Sequence, residues 1–192
     1  KGDLWGAVDV LLRGGRYPIT RTLTFTPEDS WPTTYASYPG ETAIIDGGRR
    51  IEGWRAETRD GHEIWVADLK DVAEGRWYFR QLWVNGERRH RTRVPDEGYY
   101  EIAGLPDHHS FRPDYWGADG SFYVRPGDVQ PWENITDVDI VVLHRWDDER
   151  LPIASFDAET NLVRSSRDAI FELRNHEGGC APYFIENVKE AL

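Results

Sequence analysis

The sequence predicts an all-β chain with two textures, an opening patterned like the coils of a β-solenoid and a longer antiparallel section of sandwich or barrel type. Three observations carry this. Short alternating runs bounded by Gly, Pro and Asn-Gly turns recur along almost all of the 192 residues, which is the strand signature. The chain holds 9 Trp, 9 Tyr and 7 Phe, residue types that fit a pleated, half-buried surface. Helical spacing occurs only at the end, where Ile185, Val188 and Leu192 predict a short helix.

Taken in order, Val8, Val10 and Leu12 alternate with their neighbours until Gly14-Gly15 ends the first strand. The same ending returns 33 positions later, where Ile44-Ile45-Asp46-Gly47-Gly48 matches Leu11-Leu12-Arg13-Gly14-Gly15. This predicts an internal repeat, with Val10 to Leu12 and Ile44 to Asp46 as neighbouring parallel strands one coil apart. Thr22 to Thr26 and Thr33 to Tyr38 are the strands expected between them. After Trp54 the strands lengthen. Glu63 to Leu69 is one, and Phe79 to Val84 with Asn85-Gly86 and Glu87 to Val94 predicts a hairpin, since Asn-Gly accepts the positive φ angles of a type I′ turn. Further strands are expected at Gly98 to Ile102, Ser121 to Arg125, Val138 to Leu143, Arg150 to Asp157 and Asn161 to Val163, with turns at Pro106-Asp107, Asp119-Gly120 and Pro126-Gly127-Asp128. The alternation of Trp65, Trp77, Phe79 and Trp83 predicts that these rings fill the core of the antiparallel section.

Charge and composition narrow the partners. Lys and Arg number 23 against 34 Asp and Glu, a net charge of −11, and such a field repels nucleic-acid phosphates and anionic membrane surfaces. No apolar run reaches the length of a membrane-spanning helix. The single cysteine, Cys180, excludes an internal disulfide and a cysteine-rich zinc site. The absence of methionine and of a signal-peptide core at the start points to an internal or processed segment.

No nucleophile elbow, phosphate-cradling glycine loop, zinc-binding helix or calcium loop is present, so no metal and no cofactor is expected. Of the six histidines only the adjacent pair His108-His109 is a conceivable shared ligand, and in a strand its two rings face opposite sides. Glycoside hydrolysis needs two carboxylates across the scissile bond. The densest acidic cluster, Asp147-Asp148-Glu149 after Trp146, is expected as a solvated turn, where an acid lacks the burial that raises its pKa. The aromatic rings suit carbohydrate, because sugars stack on flat faces with a polar edge. Trp116, Trp132 and Trp146 fall in expected loops. The substrate-binding candidates are Trp116 and Trp146 with Asp114 and Asp119, which flank the Tyr115-Trp116-Gly117 loop; no catalytic residue is assigned.

Several segments in this order resemble the N-terminal part of right-handed parallel β-helix glycoside hydrolases, most closely glycoside hydrolase family 141. They are Leu12 to Tyr17, Tyr35 to Glu41, Asp46-Gly47-Gly48 and Ile51 to Trp54 for the first coils. Phe79 to Gly86, Pro126-Gly127-Asp128 and Val142 to Trp146 match the β insertion, and Phe184 to Leu192 the segment where the chain returns to the helix. The resemblance implies β-helix coils over 1–54, an inserted antiparallel domain over 55–163 and a return segment over 164–192. It also implies a parent enzyme acting on plant or microbial polysaccharide outside the cytoplasm, extracellular or periplasmic, with its catalytic carboxylates on later coils. This chain would then be an inactive portion whose partners are a polysaccharide or oligosaccharide and the rest of the parent β-helix. Two alternatives stand beside it: a non-enzymatic carbohydrate-binding or surface-adhesion β domain, and a solenoid polysaccharide lyase, which the acidic balance disfavours.

Overall fold

The computed structural model describes residues 6–106 and 116–192, and its strands fall into two units, Lys1–Trp77 and Tyr78–Leu192. The first unit holds β1 (Val8–Leu12), β2 (Gly15–Pro18), β3 (Thr33–Ser37), β4 (Ala43–Asp46), β5 (Arg55–Arg59) and β6 (His62–Val66), followed by the short helix α1 (Lys70–Ala73). Strand β1 pairs in parallel with β3, and β2 in parallel with β4, as two separate two-stranded sheets. The pairing expected from the 33-residue repeat is not made: the two parallel pairs join other strands. Val8 lies beside Thr33 and Gly15 beside Ala43, both shorter steps, so Val10 to Leu12 and Ile44 to Asp46 belong to different sheets. The backbone geometry that matters is the corner between strands, where glycine endings recur for turning and not for register. Thr22 to Thr26 forms no strand; it leads into a 3₁₀ turn at Pro27–Asp29, where Thr26 N–H donates to Asp29 Oδ2 at 2.9 Å.

The corners of the two parallel pairs are joined by charge. Arg13 Nε donates to both carboxylate oxygens of Glu41 at 2.9 Å, and Gly14 N–H donates to Glu41 Oε2 at 2.5 Å. The Arg13 guanidinium and the Gly14 amide hold the Glu41 carboxyl below the usual range. A Cβ at Gly14 would press on this same carboxylate. Across β2 and β4, Arg16 reaches Asp46 at 2.6 Å. Polar closure is all this unit has: among its described residues none is buried, and Leu23, Phe25, Ile45 and Trp65 are each more than half exposed.

The second unit is antiparallel. It contains β7 (Leu82–Val84), β8 (Glu87–Arg89), β9 (Arg93–Val94), β10 (Tyr100–Glu101), β11 (Trp116–Ala118), β12 (Ser121–Tyr123), β13 (Asp139–Leu143), β14 (Asp148–Asp157), β15 (Leu162–Ser165), β16 (Ala169–Phe171) and β17 (Pro182–Glu186). The order in its main sheet is β10-β17-β13-β14-β15-β12, with β9 also on β17. Strands β7 and β8 form the expected hairpin, with Asn85 at φ 54° and Gly86 at φ 84°. The ten-residue β14 shifts register between Ile153 and Ser155, so its first half pairs with β13 and its second with β15. Pro152, which has no N–H to give to a ladder, precedes this irregularity.

The core is aliphatic with two aromatic rings: Phe122, Val138, Ile140, Val142, Leu151, Ile153, Val163, Leu173, Tyr183 and Ile185 are buried. Tyr183 packs against Tyr100 and Phe122 with centroids 5.5 and 6.1 Å away and donates its hydroxyl to Asp128 Oδ2 at 2.9 Å. Burial first, and the facing Asp128 second, push its phenol far above the ordinary range.

Three expectations are corrected here. Trp65 and Trp83 are 64% and 59% exposed: each sits on a two-stranded hairpin, and alternation buries a face only where another layer covers it. The helix expected from Ile185, Val188 and Leu192 is instead the end of β17 followed by a 3₁₀ turn at Lys189–Ala191. Asn187, at φ 69°, reverses the chain between them, so Ile185 and Val188 both reach the core without helical spacing. Finally, the strand expected over Thr22 to Thr26 is not formed; β17 lies inside the antiparallel sheet, and β5 and β6 group with the first unit.

Three substitutions check this packing. In chemical denaturation Tyr183→Ala should cost about 3 to 5 kcal/mol, while Trp83→Ala should cost about 0.5 kcal/mol or less. Gly120→Ala should cost about 1 to 3 kcal/mol, because its Cβ would overlap Arg167 O and lie 2.8 Å from Ser165 Cβ.

Candidate functional site

The turn that joins β13 to β14 is closed by His144 N–H donating to Asp147 O at 2.8 Å. It sends His144 inward, with a side chain 3% exposed, and leaves Trp146 72% exposed. His144 Nδ1 lies 3.1 Å from Glu172 O. A carbonyl only accepts, so this nitrogen carries a proton and donates. The imidazole leans on Phe171, with centroids 5.6 Å apart, and Phe171 in turn meets the edge of Trp146 at 5.5 Å and 74°. One buried ring thus braces another that braces an exposed one.

Behind the turn lies Glu149, which the sequence placed in a solvated acidic loop and the structure buries. Strand β14 starts at Asp148, and its inward positions run Glu149, Leu151, Ile153. The carboxylate therefore occupies the first place of an apolar, period-two series. It accepts Ile170 N–H at 2.9 and 3.1 Å, its Oε1 lies 3.2 Å from Arg167 Nη2, and its Oε2 lies 3.3 Å from His144 Nε2. Burial pushes the carboxyl up, but the approach of His144, the Ile170 amide and Arg167 outweighs it and holds the group below the usual glutamate range. A carboxylate kept ionised in this way anchors β16 to β14; it is not the raised-pKa proton donor that glycoside hydrolysis requires. Asp147 stays at the surface, its Oδ1 accepting Asp148 N–H at 2.9 Å.

His144, Arg145, Trp146, Phe171 and Glu172 line a small cavity of about 10 Å³, room for roughly one water molecule. Glu172 is 7% exposed, and its Oε1 receives Arg174 Nε at 3.2 Å. Glu172 Oε2 is buried without a hydrogen-bond partner among the described residues, while His144 Nε2 faces Glu149 Oε2.

The structure brings two of the four sequence candidates to this place. Trp146 forms its outer wall, and Trp116 on β11 stands in register opposite Phe171 on β16. Asp119 does not join them; its Oδ1 accepts Ser121 N–H at 2.9 Å and shapes the turn into β12. Asp114 lies outside the described residues, as do His108 and His109. Trp132, expected at the surface, packs against the core. Sequence reasoning missed His144, Glu149, Phe171 and Glu172. Starting β14 two residues earlier would have exposed the period-two series that holds Glu149. Among the described residues no three His, Cys, Asp or Glu side chains are grouped to hold a metal ion, and no helix is long and apolar enough to cross a membrane.

The buried pairing sets an acid dependence. Because the Glu149 carboxyl titrates lower in the folded chain than its ordinary 4.5, its stabilisation is full above that value and is lost as pH falls through the lowered one. In urea titrations, Glu149→Gln should cost about 3 to 5 kcal/mol at pH 7 and should flatten the decline in stability below pH 4.5. A variant as stable as the parent at pH 7 would show that the anchor is not made.

No protein-family model and no curated protein matches this chain. Its structure is similar to a solved chain described as a glycoside hydrolase, with a TM-score of 0.64 and 22% sequence identity. The match covers 97% of this chain and 33% of that one, so the chain spans about a third of the length of the protein it resembles. The all-β architecture described above is a fold found in a glycoside hydrolase.

Proposed function

We propose that this chain is the N-terminal, non-catalytic portion of a carbohydrate-active β-helix glycoside hydrolase acting on plant or microbial polysaccharide. In this reading the first unit supplies the opening coils of a right-handed parallel β-helix and the second an antiparallel insertion. The observation that carries it is the fold likeness, which lays nearly the whole chain on a third of a longer glycoside hydrolase.

Two features support it. The parallel pairs β1 with β3 and β2 with β4 are connected so that β2 lies between the partners of the first and β3 between those of the second, the connectivity of a stacked coil. The first unit also buries none of its described residues, although Val10, Leu11, Ile44 and Ile45 are apolar and exposed. A solenoid coil buries its apolar side only against neighbouring coils, and the rest of the parent β-helix is the partner that provides them. The reading as a non-enzymatic carbohydrate-binding domain draws on one observation, the braced and exposed Trp146.

The test compares this chain with the same protein extended through the coils that follow, on xylan and on fucosylated polysaccharide. The extended protein should release sugar and the 192-residue chain should not. Release by the chain alone that disappears in Asp147→Asn with Glu149→Gln, in a variant shown to be folded, overturns the proposal. An extended protein that binds polysaccharide without cleaving it favours the binding domain.

A further inference from the structure

Resting on that carbohydrate reading, we infer that the cavity at the β13–β14 turn is a subsite for one neutral pyranose unit, whose ring stacks on Trp146 and whose hydroxyl enters between His144 and Glu172. Three observations converge. Trp146 is 72% exposed yet is held by the Phe171 ring at 5.5 Å, so it offers a flat apolar face whose ordering is already complete before a ligand arrives. The cavity beside it, about 10 Å³, has the size of a hydroxyl group. Its polar wall is Glu172, whose Oε2 is buried without a hydrogen-bond partner among the described residues on a side chain 7% exposed.

The chemistry of these atoms selects the guest. Glu172 Oε2 only accepts, so the entering group must donate, which excludes the carboxylate of a uronate at this position. A hydroxyl donates to Oε2, and the imidazole of His144, held by Glu172 O and Glu149, forms a fixed wall beside it. The guanidinium of Arg174 and that of Arg167 are already committed to Glu172 and Glu149; Arg145 also lines the cavity, so the selection against an acidic sugar rests on Glu172 Oε2. Leaving a buried polar atom unpaired costs roughly 1 to 3 kcal/mol, and a sugar hydroxyl removes that cost where an apolar group does not. Ring stacking and hydroxyl recognition then act on the same sugar unit, the first giving area and the second orientation.

The experiment titrates the 192-residue chain calorimetrically with neutral β-linked hexasaccharides of glucose, xylose and mannose, and with oligogalacturonate of the same length. At least one neutral sugar should bind and the galacturonate should not. Trp146→Ala, at an exposed position that leaves the core untouched, should weaken binding at least about tenfold, equivalent to about 1.4 kcal/mol. Glu172→Gln should weaken it several-fold by removing the charge-assisted bond. Absence of binding by all three neutral sugars, or binding unchanged in Trp146→Ala, overturns the subsite. Loss in Trp146→Ala with Glu172→Gln unaffected overturns the hydroxyl contact. Binding lost in both variants, alongside an extended protein that cleaves nothing, keeps the subsite and overturns the hydrolase instead. An extended protein that cleaves polysaccharide while this chain binds none of the sugars does the reverse.

Discussion

The antiparallel unit depends on the burial of one long hairpin, β13 with β14, between β17 on one side and β15 on the other. A straight ten-residue β14 would keep the sheet flat, and a flat sheet cannot close over its own apolar face. The register shift after Ile153 lets the strand leave β13 and continue beside β15, because a bulge bends the strand that carries it. Val163 and Phe122 are thereby brought over Tyr183 and Ile185, and a core forms from residues that lie far apart in the chain. Arg91 reinforces the arrangement from outside, donating to Asp139 on β13 at 2.9 Å and to Glu186 on β17 at 3.0 Å. These two carboxylates face each other in register across the pair, and without a cation between them they would repel.

The same hairpin builds the pocket. Because the inward series of β14 begins at Glu149, a charge is carried under the sheet, where it needs partners. Arg167, Ile170 N–H and His144 supply them. In doing so they fix the ends of β14 and β16 and hold His144 against Glu172 O. The exposed turn residue Trp146 then rests on Phe171, a neighbour of the anchored Ile170. An ion pair under the surface thus gives position to a ring above it.

The first unit follows different rules. Its backbone groups are paired by two parallel strand pairs and one antiparallel pair, and its corners by Arg13 with Glu41 and Arg16 with Asp46, but none of its described apolar side chains is fully buried. Exposed ion pairs contribute little to stability, so the hydrophobic contribution that stabilises the second unit is missing here.

Strand and turn chemistry was legible in the sequence wherever it is local. Asn85-Gly86 specified its turn because those two residues tolerate positive φ, and the apolar run in Val138 to Leu143 marked a strand that is indeed central. Trp146 was legible as a surface ring because a turn residue faces water. What only the tertiary structure decided is which alternating faces are covered. Trp83 and Leu151 both lie on strands read as alternating, yet one stands on an uncovered hairpin and the other is buried in the core. Parallel register was equally hidden, since matching glycine corners mark where the chain turns and not which strand lies beside which. The pocket was hidden for the same reason: His144, Glu149, Phe171 and Glu172 meet only because β14 and β16 are packed together, and that proximity arises from long-range burial rather than from any spacing along the chain.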